Sequence, residues 1–171
     1  LFTVIATQNP IDFDSTNPLP EAQLDRFLIA TSIGYPDLDA ELHLLGDYAR
    51  QRGHEPVAAL EAGQVLDLRT RAAQSFLHPD LARYIIDLAR ASREDERLKL
   101  GISPRGALHL AEAAKSYALV QGCSAVTPQM IQKLLQPVWG HRLLPRHGRD
   151  HDRGQAAELL EEYLRAVPVP R

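Results

Sequence analysis

The sequence predicts a mainly α-helical protein that begins with two buried β-strands. Two short apolar runs, residues 1–6 and 27–33, are rich in β-branched and aromatic side chains. Such runs are typical of strands buried on both faces of a parallel sheet. After residue 37, apolar residues recur with the spacing of one helix face. The segment Gly34–Pro36 separates the two patterns, so we place a domain boundary there.

The first predicted strand ends in polar residues and is followed by a short predicted helix. Asn9 comes just after this strand, at the edge where ligands bind in open α/β sheets. Pro20 can occupy the first turn of a helix, so residues 20–26 indicate a short helix that ends in Arg26. A strand cannot bury both faces without neighbouring strands. We therefore expect this chain to be the C-terminal part of a longer protein that supplies the rest of the sheet.

Further helices are predicted after the boundary. Two have strong start signals, because Ser103–Pro104 and Thr127–Pro128 each combine a capping hydroxyl with a proline at the first helical position. The charged segment 93–99 is expected to be a solvated loop, and the polar segment 145–154 a mobile one. The predicted helices cover residues 38–52, 61–76, 79–92, 104–121, 128–138 and 155–166.

Composition argues against several classes of protein. Hydrophobic residues make up 44% of the 171 residues and charged residues 24%, which is ordinary for a globular protein. The net charge of −3 gives no reason to expect a nucleic-acid partner. No apolar run approaches the roughly 20 residues that cross a bilayer, so no membrane partner is expected. The single cysteine, Cys123, cannot form an internal disulfide, which fits a reducing compartment, and we expect a cytoplasmic protein.

Four segments stand out in the order Ala6–Pro10 (ATQNP), Leu19–Phe27 (LPEAQLDRF), Gly34–Pro36 (GYP) and Gly101–Leu108 (GISPRGAL). Through these segments the chain resembles a known family, the MoxR-type AAA+ ATPases, over nearly its whole length. The resemblance implies that residues 1–34 are the end of the α/β ATPase core and that residues 35–145 form a helical lid. Residues 146–171 would then be a polar loop and the last lid helix.

The resemblance assigns three residues to nucleotide hydrolysis. Asn9 would be the first sensor, which contacts the γ-phosphate or orients the attacking water. Arg26 would be the arginine finger that faces the next protomer, and such a finger can raise hydrolysis by roughly 10³–10⁵. Arg105 would be the second sensor, and it lies in the first turn of a predicted helix, where anions are favoured. The resemblance implies that ATP and Mg²⁺ are cofactors of the full-length parent, and no cofactor is expected in this chain alone.

Each assigned residue also has an ordinary structural interpretation. Asn9 could satisfy the turn before the following proline, since asparagine often bonds its own backbone there. The two arginines could instead form local salt bridges. Glu21, Gln23 and Asp25 could couple Arg26 to the partner subunit, but a solvated or interface face without a chemical role is favoured for them. The candidate salt-bridge partners are Asp25 or Glu21 for Arg26, and Glu94, Asp95 or Glu96 for Arg105.

Several sites are not expected in this chain alone. It has no G-x-x-x-x-G-K-[ST] phosphate loop and no Gly-Lys pair, so we expect it neither to bind nor to hydrolyse ATP on its own. No metal site is expected, because zinc needs three or four ligands, and His141, His147 and His151 are interpreted as solvated loop residues. Cys123 is interpreted as structural, and Trp139 as a core residue.

The resemblance implies that the parent is an ATP hydrolase acting as a chaperone-like factor. It would remodel or mature protein complexes, including metal-cofactor insertion, as a homo-oligomeric ring, with a hexamer favoured. Protein clients and a partner carrying a von Willebrand factor A domain are implied as well. The alternative is a free-standing helical interaction module without enzymatic activity, because most of the chain is amphipathic helix. A DNA-binding helical domain is disfavoured by the acidic balance.

Overall fold

The computed structural model describes residues 2–8, 20–47, 59–146 and 153–170. Within these ranges the protein is mostly helical with one two-stranded antiparallel sheet, so the mainly helical class is confirmed. None of the helices described is both long enough and apolar enough to cross a membrane. The helices are α1 (Glu21–Leu24), α2 (Leu38–Asp47), α3 (Ala62–Gln74), α4 (Pro79–Glu94), α5 (Pro104–Val120), α6 (Pro128–Trp139) and α7 (Arg153–Ala166), and the strands are β1 (Leu98–Leu100) and β2 (Leu144–Pro145).

The two apolar runs at the start of the chain are not strands in the structure, contrary to expectation. Residues 2–6 and 27–33 have no strand assignment, and Phe2 is 89% and Ile33 96% exposed. A strand of a parallel sheet needs neighbouring strands that bond its backbone N–H and C=O groups. The described part of the chain offers no such neighbour at either place. The apolar side chains therefore lack the sheet that would bury them.

Side-chain caps determine where α5 and α6 begin. The Ser103 hydroxyl oxygen accepts a hydrogen bond from the Gly106 backbone N–H at 3.0 Å. The Thr127 hydroxyl oxygen accepts one from the Met130 N–H at 3.4 Å. A proline follows each cap at the start of the helix. Both predicted helix starts are therefore confirmed, since the hydroxyls satisfy backbone donors that a helix leaves unpaired at its first turn.

Helices α4, α5, α6 and α7 surround the hydrophobic core. Trp139, at the end of α6, is fully buried, as predicted. Its indole Nε1 donates a hydrogen bond to the Gly106 carbonyl oxygen on α5 at 2.9 Å. Ala114 and Ala118 on α5 are also fully buried, and their small side chains allow a neighbouring helix to approach closely. Burial of a large apolar side chain contributes about 2–3 kcal/mol, so Trp139 is a main contact between α5 and α6.

The charged segment 93–99 is partly buried, which corrects the expectation of a solvated loop. It contains the start of β1, which pairs with β2, and Leu98 is 3% exposed. The Asp95 carboxylate accepts hydrogen bonds from the Tyr163 hydroxyl at 2.7 Å and from Arg97 at 2.9 Å. Arg97 also bonds Glu162 at 2.7 Å. Because opposite charges satisfy each other here, this charged segment can attach α7 to the rest of the helical core.

Several expectations fall outside the described ranges. Asn9 lies there, as do His147 and His151. The same holds for residues 48–52 of the first long predicted helix and for residues 147–152 of the predicted mobile loop.

Candidate functional site

The residues that follow α1 lie against the ends of α5 and α6. We call residues 25–30 the Arg26 segment. The Ala30 N–H of this segment donates to the Pro137 carbonyl oxygen near the end of α6, at 2.9 Å. The Ser103 hydroxyl at the start of α5 donates to the Asp25 carboxylate at 3.0 Å. Helices α5 and α6 therefore both hold the segment in place.

Arg26 itself points to no partner in the described structure. Its side chain is exposed, and no described residue forms a hydrogen bond or ion pair with its guanidinium group. The salt bridge to Asp25 or Glu21, which was the structural alternative, is thus not formed among these residues. A guanidinium group without an internal partner can bind an anion from outside the chain.

Asp25 connects the Arg26 segment to two arginines and a helix cap. Its Oδ1 accepts hydrogen bonds from Arg142 Nε at 3.1 Å and from the Ser103 hydroxyl at 3.0 Å. Its Oδ2 lies 3.5 Å from an Arg105 guanidinium nitrogen. The carboxylate is also close to the N-terminus of α5, where the helix dipole favours negative charge. The expectation that Asp25 is only a solvated or interface residue is therefore corrected.

Arg105 lies in the first turn of α5, as predicted. A cation at a helix N-terminus is unfavourable unless a negative charge compensates it. Asp25 supplies that charge, and not Glu94, Asp95 or Glu96 of the preceding segment. The Arg105 side chain is 53% exposed, and such an exposed pair contributes only about 0–1 kcal/mol. An incoming anion could therefore compete with Asp25 for the Arg105 guanidinium.

Arg142 is a buried cation whose side chain is only 2% exposed. Its NH2 group donates to the backbone carbonyl oxygens of Phe27 at 2.5 Å and Asp25 at 3.2 Å. Its NH1 group donates to the carbonyl oxygens of Val138, at the end of α6, and of Leu28 at 3.4 Å. Burial lowers the pKa of Arg142, and the Asp25 carboxylate opposes this change. Removal of one partner from a buried ion pair costs about 3–5 kcal/mol.

His109, on α5, completes the surroundings of the Arg142 guanidinium. The distance from His109 Nδ1 to Arg142 NH2 is 2.6 Å. Because a guanidinium group only donates, Nδ1 must accept this hydrogen bond, which places the ring proton on Nε2. Burial lowers the pKa of His109, and the positive charge of Arg142 lowers it further. The ring is thus held neutral near pH 7.

The structure brings two of the three predicted site residues to one place. Arg26 is adjacent in sequence to Asp25, and Arg105 contacts Asp25 directly. Asn9 lies outside the described residues, so the structure gives no position for it. The ion pairs and hydrogen bonds of Asp25 therefore include one predicted residue, Arg105. The second predicted residue, Arg26, follows Asp25 directly in the sequence.

His141 differs from its interpretation as a solvated loop histidine. It is half-buried, and its Nε2 lies 3.1 Å from the Phe27 carbonyl oxygen. It therefore helps to hold the Arg26 segment. In the part of the chain that the structure describes, no group of three or more His, Cys, Asp or Glu residues could hold a metal ion.

Sequence reasoning missed Asp25, His109 and Arg142 as members of the site. One signal was present, because Arg142 stands among apolar residues in the stretch WGHRLLP. A charged residue in such a setting is almost never fully buried unless it is paired. The partners are 117 residues apart in sequence for Arg142 and Asp25, so spacing alone could not join them.

Two protein families match the sequence. The AAA lid domain family matches residues 90–163. The ATPase family associated with various cellular activities (AAA) matches residues 1–29. Asp25 and Arg26 belong to the second matched range, and Arg105 and Arg142 to the first. The contacts of Asp25 therefore join the two matched ranges.

Curated relatives match almost all of the chain. The uncharacterized protein YeaC of Bacillus subtilis is 35% identical over 170 residues, which cover 99% of this chain and 53% of that protein. Chaperone MoxR1 of Mycobacterium tuberculosis is 34% identical over 182 residues, which cover 99% of this chain and 47% of that protein. Protein MoxR of Paracoccus denitrificans is 32% identical over 190 residues, which cover 98% of this chain and 56% of that protein. The chain thus spans about half the length of the curated relatives it matches.

One solved structure matches over nearly the same extent. It is a crystal structure described as a “putative ATPase” from Cytophaga hutchinsonii. The TM-score is 0.82 and the sequence identity 26%, and the match covers 96% of this chain and 53% of that one. The fold of the helical region and of the preceding segment therefore has a counterpart in an experimental structure.

Proposed function

We propose that this chain, which belongs to the family of MoxR-type AAA+ ATPases, is part of an ATP hydrolase. It forms the arginine-bearing segment and the helical lid of that enzyme. In this proposal residues 1–34 complete the α/β core, residues 35–145 form the lid, and residues 146–171 extend it. The chain has no G-x-x-x-x-G-K-[ST] pattern. The groups that cradle the ATP phosphates must therefore come from outside it, and the same holds for the ligands of Mg²⁺.

The main support for the proposal is the exposed guanidinium group of Arg26 on a backbone that is held in place. Its guanidinium is exposed and has no partner among the described residues, whereas the backbone on both sides of it is bonded to the lid. A held backbone with an unpaired guanidinium is what an arginine finger requires, because the group must reach phosphate outside its own chain without losing its position. We propose that Arg26 stabilises the charge that develops on the γ-phosphate of a neighbouring subunit.

Arg105 would contact the nucleotide as the second sensor. Its weak, half-exposed pairing with Asp25 supports this role, because a phosphate can replace the carboxylate at the N-terminus of α5. Asn9 would act as the first sensor, which stays a prediction from the family resemblance. Both roles need ATP and Mg²⁺ in the full-length protein.

A finger that acts on a neighbour's nucleotide requires a homo-oligomeric ring, for which we propose a hexamer. One relative is named a chaperone, which supports chaperone-like remodelling of protein clients. Maturation of complexes, including metal-cofactor insertion, stays a prediction from the family resemblance. So do a partner with a von Willebrand factor A domain and a cytoplasmic location.

Replacement of Arg26 tests the proposed function in the full-length protein. We expect Arg26→Ala to lower kcat for ATP hydrolysis by about 10³–10⁵, the range measured for arginine fingers. The Kd for ATP should be unchanged, because a finger acts mainly on the charge of the transition state. Phosphate release measures the first quantity and a nucleotide-binding titration the second.

Arg83→Ala is the matched control. Arg83 is an arginine of α4 with an 82% exposed side chain that pairs with Asp87 at 3.7 Å, and its removal should leave turnover intact. Wild-type turnover in Arg26→Ala would refute the finger assignment. The 171-residue chain alone should neither hydrolyse MgATP nor gain thermal stability from it, and a clear thermal shift would contradict the proposed division of the nucleotide site.

A further inference from the structure

Arg142 contacts the backbone on both sides of Arg26. The residue before Arg26 is Asp25, and the residue after it is Phe27. Arg142 NH2 donates to both oxygens, at 3.2 Å and 2.5 Å. Together with the bond from Arg142 NH1 to Leu28, these contacts restrict the backbone that carries the Arg26 side chain.

The guanidinium group uses all of its donor positions. It carries five N–H groups in a fixed planar fork. A lysine ammonium has three donors around one nitrogen and cannot reach acceptors spread along such a fork. The acceptors of Arg142 are the Asp25 carboxylate, His109 Nδ1, and the backbone carbonyl oxygens of Asp25, Phe27, Leu28 and Val138.

The space for Arg142 is provided by Gly106. A Cβ atom at Gly106 would lie 3.2 Å from Arg142 Cδ, so the arginine stem runs directly over the α5 backbone. The Val138 carbonyl and His109 Nδ1 then hold its guanidinium from α6 and α5. Contacts within the helical bundle therefore fix the position of Arg142 in addition to its contacts with the Arg26 segment.

We propose that Arg142 is a positioning residue for Arg26, which it holds through the backbone on both sides and joins, by way of Asp25, to Arg105. This inference rests on the proposed role of Arg26 as the arginine finger. Because Asp25 bonds both Arg142 and Arg105, a displacement of α5 changes the surroundings of Arg26 without any contact between Arg26 and Arg105.

The first test compares Arg142→Lys with Arg97→Lys in the full-length protein. Arg142→Lys keeps the positive charge and loses the forked donors. We expect kcat for ATP hydrolysis to fall about 10²-fold, the effect of a misplacement of about 1 Å, with KM for ATP unchanged. Arg97→Lys is the matched control. The guanidinium of Arg97, like that of Arg142, pairs with carboxylate oxygen, here of Asp95 and Glu162, but it contacts α7 and not the Arg26 segment. Its kcat should equal that of the wild type.

A double variant separates positioning from a general loss of stability. In Arg26→Ala/Arg142→Lys, kcat should equal that of Arg26→Ala alone, because there is no longer a finger to position. Independent, multiplying losses would overturn the inference. An equal loss of kcat in Arg97→Lys would also overturn it, since the effect would then follow lid stability.

Asp25→Asn keeps the inference testable if the lysine variant does not fold. Asparagine keeps an acceptor for Arg142 Nε but removes the charge that pairs with Arg105. We expect kcat for ATP hydrolysis to fall, because the loss of the Asp25–Arg105 ion pair weakens the contact between the Arg26 segment and α5. KM for ATP should fall too, because Arg105 is released to bind phosphate. An unchanged kcat, or a KM that rises, would overturn the inference.

The outcomes distinguish this inference from the proposed function. If Arg26→Ala retains wild-type turnover, the finger assignment itself fails. If Arg26→Ala loses turnover while Arg142→Lys and Asp25→Asn retain it, the finger stands and the positioning role of Arg142 is refuted.

Discussion

Replacement of Asp95 by asparagine measures how much the charged network between β1 and α7 contributes to stability. The Asp95 side chain is 9% exposed and bonds Arg97 and the Tyr163 hydroxyl. The hydrogen bond from Arg97 lowers the pKa of Asp95 to about 2, burial opposes this, and the hydrogen bond from Tyr163 lowers it again. The folded state therefore favours the ionised carboxylate.

The magnitude follows from this change in pKa. A fall from 3.8 to about 2 corresponds to about 2–3 kcal/mol of preference for the ionised form. Arg97 is 52% exposed, so solvent screening reduces the net effect. We expect Asp95→Asn to lower the free energy of unfolding by about 1–2 kcal/mol at neutral pH. The contribution of Asp95 is complete above about pH 4 and is lost as the pH falls through about 2.

Urea unfolding followed by tryptophan fluorescence is a direct assay. The chain has one tryptophan, Trp139, and it is fully buried in the helical core. The free energy of unfolding of the wild type and of Asp95→Asn is compared at neutral pH and near pH 2.5. Asp87→Asn is the control, since its exposed pair with Arg83 should contribute less than about 0.5 kcal/mol.

The difference between the two proteins should be smaller near pH 2.5 than at neutral pH. Below about pH 4 the carboxylate of unfolded Asp95 binds a proton, while the carboxylate of the folded state, with a pKa of about 2, is still mostly ionised. A difference that stays constant from neutral to acidic pH would refute the reasoning, since the loss would then not depend on ionised Asp95. No measurable difference at neutral pH would refute the assigned magnitude.

Two further predictions concern the packing and capping of α5. Gly106→Ala places a methyl group 2.9 Å from Ile102 Cγ2 and 3.2 Å from Arg142 Cδ. Overpacking costs about 1–3 kcal/mol and outweighs the roughly 1 kcal/mol gained in helix propensity, so the urea midpoint of unfolding should fall. A stabilised variant would contradict the close contact. Ser103→Ala should destabilise by about 2 kcal/mol and Thr127→Ala by about 1 kcal/mol, because both lose a cap but only Ser103 also bonds the partly buried Asp25 carboxylate. Equal losses in the same assay would argue against that second bond.

Local chemistry explains why the helical part of the fold could be predicted. The hydroxyl–proline pairs at Ser103 and Thr127 determine helix starts through neighbouring residues alone. The apolar spacing of α4 predicts its buried face in the same way. Trp139 was assigned to the core because a large apolar side chain between helices has few other places. Such signals act over a few residues and can be recognised from one sequence.

The apolar runs at the start show where local signals fail. Residues 27–33 have strand-like composition, but a strand requires partners that the described part of the chain lacks. The segment instead bonds helix ends through Ala30 and Pro137. The composition of residues 27–33 indicates an extended backbone, but it cannot indicate which part of the chain this backbone will bond.

The site was predicted only in part, because its centre is made by long-range contacts. Arg26 and Arg105 were selected through family motifs. The sequence favours a solvated or interface position for Asp25, since nothing nearby in the sequence marks it as bonded to Arg142. A carboxylate that joins a helix cap, an exposed arginine and a buried arginine is recognised only when the chain is folded.

The acceptors of Arg142 have a consequence for sequence variation. Four of them are main-chain oxygens, those of residues 25, 27, 28 and 138, and every amino acid supplies such an oxygen. Phe27 and Leu28 can therefore drift to other residue types during evolution without loss of a single one of these bonds. Arg142 and the glycine beneath it have no such freedom, since no other side chain offers the fork and no other residue leaves the gap.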